Sequence, residues 1–184
     1  MPRVFLPLKV SVLQHPKEKP EQSSINSAKI FAPEQVEIYK TKEITEIKLD
    51  PNDTVLLFPR EDAKPLHEVG LETIKKIKHV VVIDCTWGQV NTYLSAPQIK
   101  ALPAIRISAE KTTFWRYQYI DVKNLATIEA LYLFFKEYDT CLNISTSKDY
   151  SYDGKYDNLL YFYVYNYNLI QEKYKLNKRK VYLK

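Results

Sequence analysis

VVVIDCTWGQ, residues 80–89, is the stretch whose reading decides the fold. Val80, Val81, Val82 and Ile83 are β-branched and apolar with no polar residue between them, so they suit a short strand covered on both faces. The run stops at Asp84, and Thr86, Trp87, a glycine and Gln89 follow at once. In an open sheet of parallel strands, ligands gather where loops leave the carboxyl ends and helix N-termini offer backbone N–H groups. Residues 84–89 therefore have the form of a binding edge. A plainer reading stands beside it: Asp84 caps a helix that begins near Trp87, and Trp87 anchors the core. Periodicity does not separate the two.

Working outward, TVLLF at Thr54 to Phe58 is a second apolar run, stopped by Pro59 and followed by Arg60, Glu61 and Asp62. Leu66, Gly70, Ile74 and Ile77 recur at helical spacing between the two runs, which makes a strand, helix, strand unit. A helix over 88–94, a strand over Ala104 to Ile107, and a strong helix over Leu125 to Tyr138 follow, the last capped by Asn124 or Thr127. Two parallel crossovers in series predict an α/β domain, a mostly parallel sheet with helices on both faces.

At the other end, Val4, Leu6, Leu8, Val10 and Val12 share one side of an extended segment, and Pro7, with no backbone donor, makes it an edge strand or a docked arm. Gln14 to Asn26 is rich in Lys, Glu, Pro and Ser and reads as a surface loop, with a short helical turn at Ser27 to Phe31. Val36 to Lys48 reads equally as a solvated passage or a strand. Beyond a polar loop at Asp139 to Asp153, a helix over Tyr156 to Tyr174 aligns Leu159, Phe162, Tyr163, Asn166, Tyr167 and Ile170 on a side expected to pack on the sheet. KYKLNKRKVYLK at 173–184 is either a solvated tail or a nucleic-acid-contacting arm.

The 184 residues, 45% hydrophobic and 27% charged, suit a single domain, with an arm over 1–49, an α/β core over 50–174 and a basic tail over 175–184. A net charge of +5 and a pI near 9.0 lean towards a polyanionic partner. Cys85 and Cys141 are too few for a disulfide framework or a Cys-rich zinc site. His15, His67 and His79 lack ligand spacing, so no metal is expected. No apolar run approaches bilayer-spanning length and no signal sequence opens the chain, so the expectation is an intracellular protein with no membrane association. A Walker loop, a nucleophile elbow and a Gly-rich dinucleotide loop are all absent.

FPRED at 58–62, DCTW at 84–87, FWRYQ at 114–118 and LATIEA at 125–130 fall at the carboxyl ends of expected strands or the amino end of an expected helix, so one cleft can hold them. With YDGKYDNLLYFY at 152–163 and LPLKVSVLQHPKE at 6–18, where His15 and Glu18 are typical, they resemble the DTW-domain family of tRNA-uridine aminocarboxypropyltransferases. Within it the eukaryotic type numbered first of two is most similar, and the resemblance covers nearly the whole chain.

The resemblance implies transfer of the 3-amino-3-carboxypropyl group of S-adenosylmethionine to N3 of a uridine in tRNA, in the D-loop. It also implies a SPOUT-like fold whose carboxyl-terminal part is threaded into a deep trefoil knot, which ordinary topology rules would not foresee. We expect a monomer acting in the nucleus, the cytoplasm or both.

The reaction assigns roles. The methionine Cγ must be aimed at the acceptor nitrogen in line with the departing sulfur. The N3 proton of uridine must leave, which asks for a carboxylate within hydrogen-bond reach, and Asp84 is the candidate base. Trp87 would wall the pocket, while Thr86 and Gln89 would orient the cofactor or the uracil edge. Phe58, Pro59, Asp84 and Trp87, with Leu125, Ala126, Thr127 and Glu129, form the expected cofactor site. Trp115 offers a stacking face and Arg116 a clamp for a carboxylate or phosphate. Lys178, Arg179 and Lys180, and also Lys75, Lys76 and Lys78, are candidates for RNA phosphate.

Plainer roles exist for several of these: Thr127 as a cap, Glu129 as a favourable charge in a first helical turn, and the lysines as solvated surface. The chain also departs from the family pattern. A cysteine cluster that relatives often carry ahead of this region, read as a small zinc site, is not within these 184 residues, either because the chain is trimmed or because this member does without it; Cys85 stands where many relatives have Ser or Gly; and Ala126 replaces a commoner Ser. Two other functions fit the same residues: a SPOUT-type S-adenosylmethionine-dependent RNA methyltransferase, and a non-catalytic RNA-binding domain.

Overall fold

The protein is described by a computed structural model over residues 3–19, 23–41, 44, 47–107, 125–144, 147 and 149–176. The strands are β1 (Lys9–Gln14), β2 (Val36–Lys40), β3 (Thr54–Leu57), β4 (Lys64–Pro65), β5 (His79–Asp84) and β6 (Ala104–Arg106). They pair, always in parallel, in the order β2-β1-β5-β3-β6-β4. The helices are α1 (Asn26–Phe31), α2 (Leu71–Ile74), α3 (Asn91–Leu94), α4 (Pro97–Lys100), α5 (Thr127–Ile144) and α6 (Tyr161–Leu176).

The unbroken VVVI run is explained by the pleat, which turns successive side chains to opposite faces. Val80 and Val82, with Val10, Val12, Val55, Leu57 and Ile105, join a core closed by Phe31 of α1, Ile74 of α2 and Ile128, Leu131, Phe134 and Phe135 of α5. Val81 and Ile83, with Leu13 and Leu56, join a second core closed by Tyr93 of α3 and Ile99 of α4. Each fully buried aliphatic side chain contributes about 1.5–3 kcal/mol, so a polar residue anywhere in 80–83 would expose or orphan one face.

The amino-terminal strand is not at an edge. Lys9–Gln14 is hydrogen-bonded to β2 on one side and β5 on the other. Pro7 lies ahead of the ladder, where its missing donor breaks no sheet bond. The alternation before it survives as a docked segment, with Val4, Leu6 and Leu8 buried and the Val4 N–H donating to Phe31 O at 2.9 Å. The proline that does sit at an edge is Pro65, in β4, which pairs with β6. The passage from 36 onward resolves as strand β2.

Leu66, Gly70, Ile74 and Ile77 do not share one helix. A 3₁₀ turn at Leu66–Glu68 is separated from α2 by Val69 and Gly70 in extended conformations, yet Leu66, Ile74 and Ile77 are all buried. Helix α5 runs to Ile144, past the expected end.

Helix α6 packs on other helices rather than on the sheet. Phe162 lies 5.5 Å from Phe31 of α1, and Tyr156, just ahead of the 3₁₀ turn Asp157–Leu160, lies 5.5 Å from Phe135 of α5. The reason is occupancy: α1 and α5 already cover that sheet face. Of the expected apolar side, Leu159 and Tyr163 are buried, but Asn166 is exposed.

Tyrosines at 150–156 tie this region down. Asp139 accepts from the Tyr150 hydroxyl, from Lys155 Nζ at 2.6 Å and from Asn143 Nδ2 at 3.0 Å, while Tyr132 and Tyr152 donate to Asp157 Oδ1 at 3.0 and 3.1 Å. Gly154 turns the chain at φ +83°, and an added Cβ would come within 3.1 Å of Asp157 Oδ2. Gly154→Ala is therefore expected to destabilise the fold by about 1–2 kcal/mol, read as a lower urea midpoint at unchanged m.

His79 opens β5 and shares a 2.8 Å hydrogen bond with the buried Ser11 hydroxyl. Burial holds its ring below the usual histidine pKa, and this outweighs the opposing pull of Asp53. The unfolded chain then takes up the proton first, near pH 6.5, so this contribution is intact above that pH and is lost as pH falls towards the native value. Urea melts at pH 7.5 and 5.5 should show the drop, and His79→Gln should make it smaller.

Candidate active site

Three parallel strands end side by side at Gln14, Asp84 and Leu57, and the amino end of α5 meets them there. Gln14 and Asp84 are register partners on β1 and β5. A carboxylate has about four lone-pair positions and is costly to bury without donors. Asp84, 6% exposed, accepts from Gln14 Nε2 at 3.0 Å and Ser23 Oγ at 2.7 Å on Oδ2, and from Thr127 Oγ1 at 2.7 Å on Oδ1. The amino-terminal segment, the central strand and the long helix are thus joined through one side chain. Asp84 caps no helix at Trp87, so the plainer reading of that residue does not hold.

The start of α5 is built unusually. Ala126 has no side-chain acceptor with which to cap it. Glu129 Oε2 instead reaches back to the Ala126 N–H at 2.9 Å, and Ser24 Oγ, from the loop after β1, accepts from the Ile128 N–H at 3.3 Å. Of the two capping candidates read from sequence, Asn124 lies outside the described residues and Thr127 turns its hydroxyl to Asp84. Leu125 is half-buried and Ala126 buried.

On the other flank, Trp87 is 40% exposed and faces the half-buried Phe58 with ring centroids 5.9 Å apart. The two rings line the ends of β5 and β3, with exposed Pro59 beside them. Thr86 and Gln89 serve the turn between them: Gln89 Oε1 accepts from the Thr86 N–H at 3.2 Å. Arg60 Nη2 donates to Leu102 O at 2.8 Å just past α4, and its Nε pairs with Asp62 at 2.5 Å.

Beneath the site, burial pushes the Cys85 thiol up to about 12, reinforced by the charges of Asp84 and Glu18. It stays protonated at neutral pH and is no nucleophile. His15, also buried, receives the Lys17 N–H on Nδ1 at 3.2 Å and presents its ring edge to Tyr93, 6.4 Å away. Among the described residues no group of His, Cys, Asp or Glu could hold a metal ion, and no helix is long and apolar enough to cross a membrane.

A family profile described as DTW domain matches residues 1–171. The chain belongs to the DTW-domain family. This DTW domain is 30% identical to tRNA-uridine aminocarboxypropyltransferase 1 of Rattus norvegicus, over 92% of the chain and 67% of that protein. Against the protein of the same name in Homo sapiens it is 29% identical, over 89% of the chain and 66% of the relative. A solved structure, the SAM-dependent rRNA:acp-transferase Tsr3 from Vulcanisaeta distributa, shares the α/β fold with a TM-score of 0.50 at 17% identity, covering 89% of this chain and 82% of that one.

Of the residues expected at the site from sequence, the structure brings Thr127 onto Asp84, Trp87 onto Phe58 and Glu129 onto the Ala126 N–H in this DTW domain, while Pro59, Thr86 and Leu125 are chain neighbours of these. Trp115, Arg116, Lys178, Arg179 and Lys180 lie outside the described residues. Gln14, Ser23 and Ser24 were not foreseen. They sit in a stretch that reads as surface loop, and their partners are 61 to 104 residues away in the chain.

Proposed function

We propose that this DTW domain transfers the 3-amino-3-carboxypropyl group of S-adenosylmethionine to N3 of a uridine in tRNA, within the D-loop. The observation that carries the reading is the meeting of Asp84, Thr127 and the Phe58–Trp87 pair at the carboxyl edge of a parallel sheet, in a chain whose relatives bear this activity in their names.

The residues fit such a donor. A sulfonium is a cation, and a carboxylate with two aromatic rings beside it is the environment that favours one. As a substrate the donor supplies an electrophilic carbon and leaves as methylthioadenosine. Asp84 takes the N3 proton of the uridine: Gln14 and Ser23 occupy Oδ2, while Oδ1 carries only Thr127 among the described residues. Proton removal of this kind contributes about 10²–10⁴-fold. Trp87 and Phe58 shield the reacting centre from water and orient the donor. Leu125, Ala126, Thr127 and Glu129 hold it from the α5 side, through a knotted carboxyl-terminal passage of the SPOUT kind.

Trp115 and Arg116, with Lys178, Arg179 and Lys180, are assigned to RNA stacking and phosphate contact. The protein acts as an intracellular monomer, in the nucleus, the cytoplasm or both. Incubation with donor and unmodified tRNA tests the reading by the by-product. Methylthioadenosine in step with an aminocarboxypropyl-modified uridine is expected. S-Adenosylhomocysteine would mean methyl transfer, and tRNA binding without donor binding would mean a non-catalytic domain.

A further inference from the structure

Asp84 is held from a part of the chain that the reaction does not obviously need. Ser23 Oγ accepts from Gln14 Nε2 at 3.1 Å and donates to Asp84 Oδ2 at 2.7 Å. A hydroxyl has one proton, and Gln14, a pure donor at that nitrogen, turns the proton towards the carboxylate. Next to it, Ser24 Oγ accepts from the Ile128 N–H at 3.3 Å. Two adjacent serines thus grip both flanks of the cleft, the end of β5 and the beginning of α5.

The terminal torsion of an aspartate is broad, so packing alone does not fix the plane of its carboxylate. Ser23 and Gln14 on one oxygen and Thr127 on the other fix that plane between the amino-terminal loop and the start of α5. Without the Ser23 hydroxyl, Oδ2 would keep only an amide that has lost its other acceptor.

We infer that Ser23 is a positioning residue for the transfer, its hydroxyl fixing the plane of the Asp84 carboxylate so that the oxygen on the Thr127 side is held towards the acceptor. This rests on the transferase reading. It makes the loop after β1 part of the active site, the same loop whose Ser24 accepts from the Ile128 N–H in the first turn of α5.

The test compares wild type, Ser23→Ala, Ser23→Thr and Ser27→Ala. Ser27 Oγ donates to Ser24 O at 2.9 Å, so its removal loosens the same turn without touching Asp84. Wild-type release of methylthioadenosine is measured first, and its absence would sink the transferase reading rather than this one. Misplacement of a reacting group costs on the order of 10²-fold, so Ser23→Ala should lose about 10–100-fold in kcat with KM for donor and tRNA within about 2-fold. Ser23→Thr, which keeps the hydroxyl, should recover most of the loss. Ser27→Ala should stay near wild type in kcat even where its melting temperature falls. The inference is overturned by unchanged kcat in Ser23→Ala, by equal losses in the Ala and Thr variants, or by a matching loss in Ser27→Ala.

Discussion

Asp84→Asn is expected to lower kcat for carboxypropyl transfer by about 10²–10⁴-fold, the usual contribution of a positioned general base. The amide has nearly the shape of the carboxylate but half its acceptor capacity. With the amide oxygen turned to Gln14 and Ser23, the NH₂ group faces Thr127 Oγ1, whose hydroxyl turns to accept from it. The variant therefore loses the base and also costs about 1 kcal/mol of stability, because charge-assisted hydrogen bonds become neutral ones. Single-turnover measurements on folded protein separate the two effects. A variant within about 3-fold of wild type in kcat would remove Asp84 from the chemistry and leave it as a tie between three segments.

Phe135→Ala should have the largest effect on stability. The ring is fully buried, 5.4 Å from Phe134 and 5.5 Å from Tyr156, so it connects the sheet-facing side of α5 to the strap that leads into α6. Truncating a buried phenylalanine costs about 3–5 kcal/mol, from lost transfer energy and the cavity left behind. For a chain of this size that corresponds to a fall in melting temperature of roughly 6–20 °C. Calorimetry or thermal circular dichroism measures it. A fall of only a degree or two would mean that Tyr156 and its neighbours collapse into the space, and that the strap is not anchored there.

Both effects start at the same element. Helix α5 carries Phe135 in its middle and Thr127 at its start, so the packing that stabilises the domain also sets where Thr127 meets Asp84. The tyrosines at 150–156 are spent on Asp139, Asp157 and the aromatic face of α5. Their hydroxyls reach the buried carboxylate of Asp139 and the exposed one of Asp157.

Much of this was legible beforehand because it is local. Four β-branched residues in a row require cover on both sides of a strand, and both cores are present. Asp84, at the end of that run, reads as a polar group at a sheet edge, and it lies there. Phe58, Trp87 and Thr127 come from the ends of neighbouring elements for the same reason.

The misreadings are non-local. Pro7 suggested an edge strand or a docked arm; residues 4–8 are docked, but sheet order depends on which strands find partners, and β1 lies between β2 and β5. The apolar side of α6 was expected on the sheet, which α1 and α5 had already covered.

By itself, then, the sequence determined an α/β domain, the strand that ends in Asp84, and the residues gathered at the carboxyl edge, because pleat, helical spacing and chain breakers act over a few residues. Only the tertiary structure decided which donors Asp84 receives and what caps α5. Gln14, Ser23 and Ser24 reach partners more than sixty residues away, and no periodicity records a hydrogen bond between side chains that meet only when the sheet has closed.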